Sequence, residues 1–127
     1  MKGVTIQKID PVYADARGSI TDLLNEKISH VGLIVSEKDS VRGNHYHNLS
    51  VQYNYLLSGK LEISLATPES AGEIEKIVLN PGELITIQNK IIHKVRALEK
   101  SVFIDMISES RAGTGYEDDV VRVTLKD

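Results

Sequence analysis

The sequence predicts an all-β fold of the jelly-roll kind, on three observations. Ten short apolar or alternating stretches recur along 127 residues, at the roughly 8–12-residue spacing of sandwiches and barrels. Turn-forming residues fill the gaps between them. No amphipathic period of three helical turns separates the stretches, so a doubly wound α/β fold would lack its helices.

The elements are expected in this order. Val4–Ile9, Ser19–Leu24 and Val31–Ser36 come first, rich in the β-branched residues that suit a pleated surface. Val51–Ser58 follows, then Lys60–Ala66. In the latter, Leu61, Ile63 and Leu65 alternate with Glu62 and Ser64, the period of a strand with one buried face. Glu73–Leu79 is less regular, and its Glu73–Lys76 portion equally suits the start of a helix. Glu83–Gln88, His93–Leu98, Ser101–Ser108 and Asp119–Leu125 complete the set. Ser58-Gly59, Thr67 to Gly72, Asn80-Pro81-Gly82 and Ala112 to Gly115 carry the turn chemistry. Gly113–Asp119 reads as a loop before the last strand, either a lid over the barrel mouth or an acidic solvated turn, with Tyr116 its most interesting member.

Composition bounds the function. At about 150 residues per domain the chain is a single domain, residues 1–127. Apolar residues make up 41% and charged residues 26%, which is ordinary globular usage and leaves disorder unsupported. There is no cysteine, which excludes disulfides, thiolate metal sites, iron–sulfur clusters and cysteine nucleophiles. A net charge of −3 without a basic run argues against nucleic acid as the partner. The opening MKGVTIQKIDP has no apolar core of a signal peptide, and no stretch approaches a membrane span, so the expected location is the cytoplasm.

The chemistry concentrates in the histidines. Of four in the chain, His45 and His47 form His-Tyr-His on an extended segment. Residues i and i+2 of a strand face the same side about 6.5–7 Å apart. Two such imidazoles can converge on one ion at about 2.1 Å, the remaining ligands coming from elsewhere in the fold. They serve equally as metal-free acid–base groups, or as a hydrogen-bonded structural pair. His30 has no partner at motif spacing and reads as a surface histidine.

The spacing His45-x-His47-x4-Gln52-x6-Gly59 resembles the first motif of the cupin superfamily, with Gln52 where the pattern has Glu and no glycine six residues before His45. Gly82 and His93 match the second motif, while Gln88, Lys90 and Ala97 replace its proline, second glycine and asparagine. The resemblance implies a small β-barrel with His45, His47, Gln52 and His93 as ligands of a divalent transition metal. Imidazoles suit Zn, Fe, Ni, Cu or Mn, and no organic cofactor is implied. Gln52 keeps an oxygen donor but removes one negative charge, which weakens binding and favours an anionic further ligand.

Two further stretches narrow the resemblance. Asp15-Ala16-Arg17-Gly18 and Arg42-Gly43-Asn44-His45-Tyr46-His47 are similar to segments of cupins acting on nucleotide-linked 4-keto sugars. These are the dTDP-4-dehydrorhamnose 3,5-epimerases, the 3,4-ketoisomerases and the cupin domains of capsular polysaccharide enzymes. The implied activity is isomerisation or epimerisation beside a carbonyl. It needs a base near the working pH, for which histidine is suited, and a donor or cation at the enolate oxygen. His45 and His47 are the expected catalytic histidines, with Tyr53 as donor and Tyr46 or Tyr55 as alternatives. Arg17 and Arg42 are expected to clamp the substrate's diphosphate. A small metal-dependent oxygenase and a non-catalytic binding or sensory module remain alternatives. Cupins of one barrel commonly dimerise by exchanging N-terminal strands, so Val4–Ile9 is expected to join a homodimer.

Overall fold

A computed structural model describes residues 1–70, 72–110 and 112–125; Ala71, within one of the expected turns, lies outside them. The chain forms β1 (Val4–Lys8), β2 (Tyr13–Asp15), β3 (Gly18–Ile20), β4 (His30–Ser36), β5 (Val41–His47), β6 (Gln52–Ala66), β7 (Glu75–Leu79), β8 (Glu83–Ile87), β9 (Ile92–Ile107), α1 (Gly115–Asp119) and β10 (Val120–Arg122).

Four of the expected stretches fuse into two long strands. Val51–Ser58 with Lys60–Ala66 becomes β6, and His93–Leu98 with Ser101–Ser108 becomes β9, because the turn residues between them bend a strand rather than end it. The two pair antiparallel from Gln52↔Ile107 to Ala66↔Ile92, with register shifts between Leu56 and Leu61. Each strand therefore serves both layers of a jelly roll. The first half of β6 and the last half of β9 lie with β8, β1 and β4. The other halves lie with β7, β5 and β10.

Gly59 makes the bend possible. Its φ is +96°, and a Cβ there would overlap Ser101 Oγ and the Lys100 carbonyl. Only glycine takes that conformation with β9 so close. Leu56, Leu61, Ile63, Leu65, Ile85 and Phe103 fill the core, with Ile34 and Ile77 packed against them. Polar residues interrupt this inward surface where the first half of β6 and the last half of β9 face β5 across the two layers, and there the site lies.

Other expectations shift at the edges. Ser19–Leu24 yields only β3, paired with β2 as an exposed hairpin whose turn Asp15 caps through the Arg17 backbone N–H at 2.9 Å. Glu73–Lys76 forms no helix; β7 starts at Glu75. The last strand shortens to Val120–Arg122, and the expected loop before it contains α1. β1 pairs with β8 of its own chain, Val4 opposite Ile87. Among the described residues no helix is long and apolar enough to cross a membrane.

Candidate active site

His45, His47 and His93 meet in one cavity of about 190 Å3 between the layers. Their ring centroids are 4.7 Å apart for His45 and His93, 5.1 Å for His45 and His47, and 5.5 Å for His47 and His93. His45 and His47 share a face as the alternation of β5 requires. His93 comes from β9, directly opposite His45 in the ladder.

A bulge in β5 sets this register. Gly43 has φ +90° and Asn44 φ +66°, left-handed conformations that glycine takes freely and asparagine tolerates. A Cβ on Gly43 would lie 2.9 Å from the His93 carbonyl oxygen, so glycine lets the strands close beside the histidines. The Asn44 side-chain oxygen accepts from the Leu125 N–H at 2.9 Å and its carbonyl from the Val123 N–H at 3.0 Å, tying the C-terminal segment to the bulge.

The three imidazoles differ in chemistry. His93 is 1% exposed and donates Nδ1–H to the Ile91 carbonyl at 3.1 Å. Its Nε2 is then a bare lone pair, with no hydrogen-bond partner among the described residues. Burial, reinforced by His45 and His47, drives its pKa down to about 3, so the ring is neutral. His47 faces Asp119 Oδ2 through Nδ1 at 3.0 Å and Gln52 Oε1 through Nε2 at 3.1 Å. Asp119, carried by the last residue of α1, also accepts from the Leu49 N–H at 2.7 Å. Burial works to raise its pKa, but hydrogen bonds from Ser50, Leu49 and His47 outweigh it and hold the carboxyl below its ordinary value. His45 is half-buried and lines the open side of the cavity.

A metal is tested against this arrangement. Nitrogens of the three histidines lie within 4.8 Å of one another, and His93 presents its lone pair, so three imidazoles are within reach of an ion. His47 Nε2 and Gln52 Oε1 are turned towards each other at 3.1 Å. That 3.1 Å separation is also the one two ligands of a single ion have when each is about 2.1 Å from it, so the pair is compatible with the implied four-donor set.

Other expected site residues divide. Arg42 lines the cavity, its Nε donating to Ser36 Oγ at 2.8 Å and its Nη2 to the Val35 carbonyl at 3.0 Å. Arg17 lies on the exposed β2–β3 hairpin, away from the cavity, and pairs with Asp15 at 2.7 Å. Tyr53 lines a different depression beside Glu26, because alternation along β6 sends Gln52 and Asn54 inward and Tyr53 and Tyr55 to the opposite face. Tyr46 packs with the smaller apolar cluster of Ala66, Ile92 and Leu125. The tyrosine at the cavity is instead Tyr116 of α1, its ring 6.4 Å from that of His47.

Asp119, Asn54 and Asp105 are site residues that motif reasoning missed. Asn54 and Asp105 had a signal: each is a polar residue at an inward position of an apolar strand. Asp119 had none, since its place depends on how α1 folds back over β5.

No family model and no curated protein matches the sequence. Solved structures do. QdtA, a sugar 3,4-ketoisomerase from Thermoanaerobacterium thermosaccharolyticum in complex with TDP, is 26% identical with a TM-score of 0.76 over 96% of this chain and 89% of that one. A 3,4-ketoisomerase from Helicobacter canadensis is 23% identical with a TM-score of 0.77, covering 94% and 90%. The Mycobacterium tuberculosis rmlC epimerase is 17% identical with a TM-score of 0.79, covering 99% and 71%. The last two likenesses bear on the fold. With the path of β6 and β9 through both layers, they show that the chain has the jelly-roll fold of these enzymes.

Proposed function

We propose that this cupin isomerises or epimerises a nucleotide-linked 4-keto sugar by acid–base chemistry at its histidines. The observation that carries the reading is the convergence of three imidazoles, one of them backed by a buried carboxylate, in a cavity with an arginine at its edge. The likeness to QdtA, also solved with TDP-4-keto-6-deoxyglucose, supports the substrate class.

Each residue has a role that its surroundings allow. His45, facing the open side, is the base that removes the acidic proton beside the carbonyl. His47, oriented by Asp119 through Nδ1, donates to the enolate oxygen once that oxygen takes the place of Gln52 Oε1 at its Nε2. His93 is too weak a base at a pKa of about 3 and accepts a substrate hydroxyl at its bare Nε2. Tyr116 closes the cavity beside His47, and Arg42 binds the diphosphate. Arg17 can serve a site only in an assembled homodimer. The apolar Tyr13 and Ile20 of its exposed hairpin and the outward Val31, Leu33 and Val35 of β4 are the surfaces we assign to that contact.

The test is incubation with dTDP- and UDP-4-keto sugars, followed by NMR of the products. The reading expects a keto-isomer or epimer without oxygen uptake. Oxygen consumption would establish an oxygenase, and tight binding without product a binding module. A metal-holding site is the second reading, favoured by the lone pair of His93. Stoichiometric transition metal in untagged protein would establish it.

A further inference from the structure

Arg42 stands apart from the other arginines of the described chain. Arg17, Arg96 and Arg122 each hold a carboxylate, that of Asp15, Asp39 and Glu117 respectively. Arg42 pairs with no carboxylate among the described residues. Two neutral oxygens at the end of β4 hold it instead: Nε donates to Ser36 Oγ at 2.8 Å and Nη2 to the Val35 carbonyl at 3.0 Å. Such acceptors fix the guanidinium without cancelling its charge.

A guanidinium is planar and carries five N–H groups in a fixed fork. The Nε–H and one Nη2–H point along one edge of the plane, and the two consecutive residues of β4 occupy that edge. The other Nη2–H and one Nη1–H run parallel along the neighbouring edge. That edge has no partner among the described residues, and its geometry suits two oxygens of one phosphate.

The anchor is built into the barrel. Ser36 is 2% exposed and faces inward with Ile34, which lines the cavity beside Arg42. The turn from β4 to β5 is tied to β9: the Asp39 N–H donates to the Ala97 carbonyl at 2.7 Å and the Ala97 N–H to the Ser40 carbonyl at 3.0 Å. Hydroxyl and arginine therefore keep a fixed spacing. A long side chain surrenders rotamer freedom on binding, and one already held surrenders less.

We propose that Ser36 is a positioning residue: its hydroxyl, with the Val35 carbonyl, holds Arg42 at the cavity edge and keeps the Nη1–Nη2 edge for phosphate oxygens of the substrate's diphosphate. The identity of the ligand rests on the nucleotide-sugar reading above; the anchoring of Arg42 does not.

The experiment is calorimetric titration with dTDP of the unaltered full chain, Ser36→Ala, Arg42→Ala and the double variant. Ser36→Ala should raise Kd about 3–10-fold, the worth of one hydrogen bond, and should raise it no further once Arg42→Ala is in place. An unchanged Kd in Ser36→Ala overturns the proposal. So does an equal loss in both backgrounds, since a merely structural serine acts without the arginine. Side-chain 15N NMR of the unaltered protein needs no variant: before dTDP is added, the Arg42 Nε–H should exchange with water more slowly than that of the exposed Arg96, and equal exchange overturns the anchoring. Turnover of a 4-keto sugar whose KM is the same in Ser36→Ala sinks this inference alone. The predicted dTDP pattern in a chain that converts no 4-keto sugar sinks the proposed function and leaves this inference standing. An unaltered chain that binds no dTDP overturns both.

Discussion

Mild acid should weaken this protein through His93. In the folded chain burial holds the imidazole at a pKa of about 3, whereas an unfolded histidine titrates near 6.5. The unfolded chain thus takes up the proton first. A depressed folded value contributes its full stability above about pH 6.5 and loses it as pH falls towards 3. The slope in that window approaches 1.4 kcal/mol per pH unit, which integrates to about 2 kcal/mol between pH 7 and pH 5. The carboxyl of Asp119, also lowered, adds its loss only below about pH 4. Urea unfolding at pH 7 and pH 5 measures the effect, with His93→Asn as the comparison. That variant keeps an amide donor for the Ile91 carbonyl but cannot titrate. The unaltered protein should lose about 2 kcal/mol more than the variant over the two pH units. Equal losses would refute the claim that His93 is buried as a neutral ring.

Three further outcomes are expected. Asp119→Asn should lower turnover of a 4-keto sugar on the order of 10²–10⁴-fold with the fold intact by circular dichroism, since His47 loses its orienting carboxylate; unimpaired turnover would remove His47 from the chemistry. Tyr53→Phe should change kcat and KM by less than about twofold, the scale of a surface substitution, because the hydroxyl lies on the face of β6 away from the histidines; a large loss would contradict that placement. Gly59→Ala should destabilise by at least about 2 kcal/mol in denaturant titration, from left-handed strain and overlap with Ser101.

Much of this architecture was legible in residue patterns. The alternation of Leu61, Ile63 and Leu65 marked a half-buried strand, and the spacing of His45, His47 and His93 anticipated rings that do share a pocket. The fusion of strands was not legible, because Ser58-Gly59 is equally a turn and a bend, and only the opposing β9 decides between them. Tyr53 was placed wrongly through chemistry when periodicity already spoke: it follows Gln52 and precedes Asn54, so it must face away from both. The role of Gln52 shows a different limit. Its place in the motif marked it as a site residue but did not show that its amide nitrogen donates to Asn54 Oδ1, a contact made by two inward residues of the same strand.

Deuterium wash-in tests the central claim most directly. With a dTDP-4-keto-6-deoxy sugar in D2O, the account predicts deuterium at a ring carbon beside the carbonyl, at a rate that His45→Asn lowers on the order of 10²-fold or more. Incorporation no faster than in the absence of enzyme across the dTDP- and UDP-linked 4-keto sugars, or incorporation that His45→Asn leaves unchanged, would contradict it.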